Sequence, residues 1–167
     1  MTTSYSVSGF WRGVVIATTI AGTLAILSAF LFDILVKGTP LGVLNGIAAA
    51  ALPQVDMSDL GEMSGIASAA LGLIVHFAIM FVMVAVYFTF AARVRLLNHH
   101  PWPSGIGYGL ALWGVMYWGV LPQRFPTLFP ILDPQEVAMQ LFSHIALVGL
   151  PIALIARRAA RWHVTEW

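Results

Sequence analysis

The sequence predicts an all-α integral membrane protein, a four-helix bundle with both termini in the cytoplasm. Three observations carry this. Of the 167 residues, 59% are hydrophobic and only 9% charged, with a mean hydropathy of +0.87; an ordinary soluble domain carries about 25% charged residues. Four apolar runs are each long enough to cross about 30 Å of hydrocarbon, which takes roughly 20 helical residues. Finally, six of the eight basic residues fall at one set of run ends: Arg12, Arg93, Arg95, Arg157, Arg158 and Arg161. The positive-inside rule assigns that side to the cytoplasm. Lys37 and Arg124 lie on the other side with Asp33, Asp56, Asp59, Glu62, Asp133 and Glu136, while Glu166 is the one acidic residue inside.

The first run, Gly13 to Phe32, lies between Arg12 and Asp33 and predicts a helix over about 10–35. It is too long for a signal-peptide core, and no small-residue cleavage site follows it, so it reads as a retained span. Ala17, Ala21, Ala25 and Ala29 recur every fourth residue, and Asp33 is the next step. Small residues at this spacing let helices approach closely in lipid. A long outer link follows. Within it, "TPLGVLNGIAAAALP" is bounded by Pro40 and Pro53; too short to span, it is expected to lie as an interfacial helix.

The second helix is expected over about 64–95. Thirty consecutive residues, Met63 to Ala92, carry no formal charge. Ser64, Ser68 and Gly72 form a small-residue stripe whose next step is His76. The short turn "RVRLLNHHPWP" leads to the third helix, about 104–121, in which Gly105 and Gly109 precede Trp113. The outer link "PQRFPTLFPILDPQE" has four prolines and reads as a rigid cap. The fourth helix is expected over about 136–160, with Pro151 inside it as the source of a kink. No internal repeat or low-complexity linker divides residues 1–167, so a single transmembrane domain is expected. Phe10, Trp11, Trp102, Trp162 and Trp167 fall at inner helix ends, where indoles anchor at headgroups.

The chemistry concentrates in a few intramembrane polar residues: His76, His144, Asp33, Gln140 and Ser143. An ionisable group inside a span faces protein or water rather than lipid. His76 and His144 lie on helices that both start on the outer side. Counting back 20 residues from Ala92 puts His76 three residues into the core and His144 seven in, within ~6 Å in depth. The pair is therefore expected to face across the bundle in its outer half. Two such histidines are expected first as hydrogen-bonded fasteners, with axial ligation of haem b or a proton-linked site as the alternatives. His99 and His100 in the inner turn are expected to be solvated, as is the acidic turn "DMSDLGE", whose spacing does not fit a calcium loop.

"VHFAIMFVMVAVYF", the third helix closing in "LPQRFPTLFP", and "LFSHIALVGLPIALIARR" together resemble the YagU-like family of bacterial inner-membrane proteins. The resemblance covers roughly residues 70–160, with a looser match over the first helix and its outer loop. It implies a four-helix fold in the bacterial inner membrane, with His76 and His144 at the family's two histidine positions. It implies no reaction.

The chain has no cysteine, which excludes disulfides and thiolate chemistry, and a net charge of +1 gives no electrostatic case for nucleic acid. No phosphate-binding loop, nucleophile–base pattern or paired carboxylates within one helix can be read from it, which points away from an enzyme. Three functions are compatible with the sequence. The first is an accessory or structural membrane subunit that binds itself or another membrane protein. The second is haem b binding between His76 and His144. The third is proton-linked or small-solute transport by an oligomer.

Overall fold

A computed structural model describes residues 5–36, 40–52 and 65–161. Lys37, Asp56, Asp59, Glu62, Ser64, Trp162, Glu166 and Trp167 lie outside the described residues. All regular structure among those described is helical: α1 (Val7–Val36), α2 (Pro40–Ala51), α3 (Ile66–Arg93), α4 (Arg95–His99), α5 (101–124) and α6 (Pro134–Ala159). Three helices are long and apolar enough to cross a membrane: Val7–Leu35, Ile66–Arg93 and Pro134–Ala159. The fourth long helix, α5, spans about 36 Å at 1.5 Å per residue. Its glycines and aromatic residues dilute its hydropathy, and it is not one of those three.

The helix ends follow local chemistry. Asp133 caps α6: its Oδ1 accepts from the backbone N–H groups of Gln135 and Glu136, both at 3.0 Å, and Pro134 takes the first helical position. Val94, in an extended conformation, ends α3, and Pro101 opens α5 after one short turn of helix.

The two helices of the second half share an irregularity. Val115–Val120 of α5 and Ser143–Gly149 of α6 are π-helical, and each stretch is followed directly by a Leu-Pro pair, Leu121-Pro122 and Leu150-Pro151. Proline lacks an N–H, and its ring pushes on the preceding turn. The turn widens and the hydrogen bonds shift to i→i+5. Pro151 thus gives a π segment where the sequence suggested a simple kink, and Pro122 is carried inside α5 instead of ending it.

Helix α1 is the centre of the bundle, packing against α3 on one side and α6 on another. Its buried face is made of small residues, with Ala17 and Ala21 fully buried among Val84, Phe88, Ile152 and Ala156. A side chain at Gly13 would meet the Phe88 ring at 2.6 Å, and one at Gly22 would meet Phe77 at 2.7 Å. The alanine stripe is therefore a packing face, as its spacing suggests. Ala21→Leu and Ala25→Leu are expected to destabilise the protein in detergent by about 1–3 kcal/mol each through overpacking. Unchanged thermal stability in both variants would place the stripe against lipid instead.

Helix α5 packs on the π segment of α6. Gly105, Gly109 and Gly149 bring the two backbones together: a Cβ on Gly105 would lie 2.9 Å from the Gly149 carbonyl oxygen, and one on Gly109 would collide with the His144 carbonyl. Helix α2 occupies the segment expected to be interfacial. It is held against α1 and α3 through a small cluster of Ile26, Leu44 and Ala69, with Gly72 facing the backbone of Leu44. Its last carbonyls, Ala49 and Leu52, accept hydrogen bonds from Arg124 Nη2 at 3.1 and 2.6 Å. A cation at a helix C-terminus also complements the helix dipole.

The opposite end is clasped by Tyr5. Its hydroxyl donates to the Ala156 carbonyl (3.0 Å) and lies 3.2 Å from Asn98 Oδ1, while Asn98 Nδ2 donates to the Ala91 carbonyl at 2.7 Å. Burial pushes the Tyr5 pKa up to about 12, partly offset by the Asn98 bond, so the phenol remains a donor at neutral pH.

Candidate functional site

The intramembrane polar residues form two stations along α1. At the first, His76 Nε2 lies 3.0 Å from the Gly22 carbonyl oxygen, and the imidazole meets Phe77 edge-on. The nitrogen must carry its hydrogen to make this bond, since a carbonyl only accepts. Gly22 is what allows the approach: it has no side chain to hold Phe77 and the α3 backbone away.

The second station lies where α1 meets the π segment of α6. Ser28 Oγ donates to the Ala25 carbonyl at 2.9 Å, so the Ser143 hydroxyl, 2.9 Å away, is the donor between the two serines. One residue on, His144 Nδ1 donates to the Gln140 carbonyl at 2.9 Å, in its own helix. The Gln140 side chain is buried and accepts from Trp113 Nε1 at 3.1 Å. Tyr117 stands edge-on to the His144 ring at 5.6 Å, stacks near Trp113, and touches Phe129 of the loop between α5 and α6. Wide turns of this kind, with several polar groups drawn together, are frequent at functional sites.

Helix α1 serves as a ruler between the stations. From Gly22 to Ser28 is a rise of ~9 Å. His76 and the Ser143–His144 pair are thus bound at different heights and on different neighbours. This corrects the expectation that the two imidazoles face each other in one layer. The physical reason is the placement of α1. Helix α3 packs chiefly on α1 and α2, and its main contact with α6 falls on the C-terminal stretch Leu150–Ala159. Counting from run ends cannot reveal which helix stands between two others.

The arrangement bears directly on haem. A bis-histidine haem needs one nitrogen from each imidazole on opposite faces of a single porphyrin. His76 Nε2 is engaged by the Gly22 carbonyl of α1 and His144 Nδ1 by the Gln140 carbonyl of its own helix, so the two rings are held by separate partners. The pair does not fit the group.

Asp33 sits near the C-terminal end of α1, 7% exposed, and its Oδ2 is buried without a hydrogen-bond partner. It takes no part in either station. His99 and His100 are exposed at the turn between α3 and α5. The sequence reading missed three participants. They are Trp113, Tyr117 and Arg124, none of which the sequence pattern singles out as a site residue. The indole N–H of Trp113, on the face continued from Gly105 and Gly109, was the available signal for Trp113.

No protein-family model matches this chain, and neither the curated proteins nor the solved structures contain a match to it.

Proposed function

We propose that this chain is a four-span protein of the bacterial inner membrane, with both termini cytoplasmic, that works as an accessory or structural subunit beside another membrane protein or a second copy of itself. Helix α5 supplies the fourth span by its length and by its packing on α6. The arginine bias supports the orientation, and the likeness to the YagU-like family supports the inner membrane.

One observation carries the functional reading. The intramembrane polar side chains act mainly as fasteners between helices: His76 to Gly22, Ser143 to Ser28, Trp113 to Gln140, and Tyr108 to the Met83 carbonyl at 2.6 Å. Such bonds fix a shape, at about 0.6–2 kcal/mol each in a membrane. A rigid apolar scaffold of this kind offers its surface, rather than a reaction centre, to its surroundings. A second reading, small-solute or proton-linked transport by an oligomer, draws on the buried Asp33 carboxylate.

Mild digitonin extraction followed by native mass measurement tests the proposal. The chain should emerge in a stoichiometric complex, with a partner or with itself, and without visible absorption. Reporter fusions at Pro101 and at the C-terminus should read cytoplasmic, and one at Met57 periplasmic. A lone monomer with a Soret band that His144→Ala removes would overturn the subunit reading, and a periplasmic C-terminus would overturn the four spans.

A further inference from the structure

One face of α3 carries a groove that ends on a cation. Phe81, Val82, Ala85, Val86, Thr89 and Phe90 line it, and its volume is about 290 Å³. They are pairs of positions one helical turn apart, so they form a single stripe along the helix. Arg93 is the next step on that stripe. Phe81, Val82, Val86 and Phe90 are between 38% and 60% exposed, so the rest of the described chain leaves the stripe uncovered. Trp11 of α1 lies flat against Phe81, at the end away from Arg93, with ring centroids 6.1 Å apart.

The polar groups along the stripe are accounted for except at its end. Thr89 Oγ1 donates to the Ala85 carbonyl at 2.7 Å, in its own helix, so its hydroxyl is satisfied and the groove needs no polar occupant. Arg93 Nη1 reaches back to the Thr89 carbonyl at 3.4 Å, which places the guanidinium at the end of the groove. That carbonyl is the one hydrogen-bond partner of Arg93 among the described residues. A guanidinium has five N–H donors, so most of them remain for a ligand.

The dimensions and the charge select the occupant. From Arg93 back to Phe81 is a rise of ~18 Å. One leaflet is half of a hydrocarbon core of about 30 Å. The stripe therefore has the depth of a leaflet, with its cation at the polar boundary. A helix with its side chains is about 10 Å across or more and is too broad to enter a groove on one helix face. A flexible acyl chain is narrow enough. The arginine fork matches the oxygens of a phosphate.

We infer that this face of α3 binds one anionic phospholipid, with an acyl chain in the Phe81–Phe90 groove and the phosphate on Arg93. The site rests on α3 crossing a membrane, which its length and hydropathy support. It requires neither a protein partner nor a particular orientation of the chain, so it can fail while the subunit reading stands.

The experiment is native mass measurement of the full-length protein in detergent, titrated with phosphatidylglycerol or with phosphatidylcholine of the same acyl chains. The two lipids share the phosphate and the chains and differ in net charge. Phosphatidylglycerol should bind roughly fivefold more tightly, the gain expected from one basic residue beside an anionic headgroup. Arg93→Gln should remove that preference. Val86→Trp, at an exposed position, should weaken both lipids by filling the groove. Equal affinity of the wild type for the two lipids would overturn the site, and this comparison needs no variant to fold. Displacement of bound phosphatidylglycerol by an equal concentration of inorganic phosphate would also overturn it, since the groove would then contribute nothing. A lipid-free dimer that Val86→Trp dissociates would assign the groove to a second copy of the chain and overturn the lipid site.

Discussion

Replacing Gly109 with leucine should abolish the folded bundle. A Cβ at this position collides with the His144 carbonyl and comes within 2.7 Å of Ile145 Cα. These are backbone atoms of the facing helix, so no side-chain rotation relieves the contact. The two helices would have to separate, which would undo the Gly105–Gly149 approach one turn away. The expected loss is about 4 kcal/mol or more, in the range reached only when a core is disrupted. The control lies two residues earlier. Gly107 has nothing within 4 Å of where its Cβ would sit. Gly107→Ala should therefore be neutral or stabilising, by up to about 1 kcal/mol through helix propensity. Unfolding in a denaturing detergent measures both variants. Equal stabilities for Gly109→Leu and Gly107→Ala would show that α5 and α6 do not meet through their glycines.

Loss of Arg124 should free α2 without unfolding the bundle. Its guanidinium bonds the last carbonyls of α2 and lies 5.1 Å from the Phe125 ring centroid, on a helix distant in sequence from the segment it holds. Hydrogen bonds to a charged group contribute about 1.5–3 kcal/mol each. With two such bonds, Arg124→Ala should therefore weaken α2 docking by about 3–6 kcal/mol. Hydrogen exchange would register this as faster exchange at residues 43–51, with α1 and α6 unchanged. Arg124→Lys should recover only part of the protection, because the shorter side chain must stretch to bring its single nitrogen where Nη2 meets both carbonyls. Unaltered exchange in α2 would assign its docking to the Ile26–Leu44–Ala69 contacts alone.

Much of the helical architecture was legible because membrane insertion imposes long apolar runs, and such runs are visible without knowledge of any tertiary contact. The small-residue stripes were legible for a related reason: Ala17, Ala21, Gly105 and Gly109 mark faces that tolerate only close neighbours. The histidines were less so. His76 terminates a stripe and does face protein, as that pattern indicates. Its partner, the Gly22 carbonyl, is a backbone atom, and backbone atoms carry no sequence signature. The π segments were readable in principle from the two Leu-Pro pairs, but proline inside a helix signals a break as readily as a widened turn. Arg124 was misleading because its charge gave an orientation argument that concealed its role as a cap.

The central claim is that His76 and His144 are independent, His76 bound to the Gly22 carbonyl of α1 and His144 to the Gln140 carbonyl of its own helix. A double-mutant cycle measures this directly. His76→Ala, His144→Ala and the double variant are unfolded under one set of conditions, and the coupling energy is read from the difference. Groups that share no partner add to within about 0.5 kcal/mol. The coupling between His76 and His144 should fall inside that limit, whereas a value of about 1 kcal/mol or more would mean that the two imidazoles share one site after all.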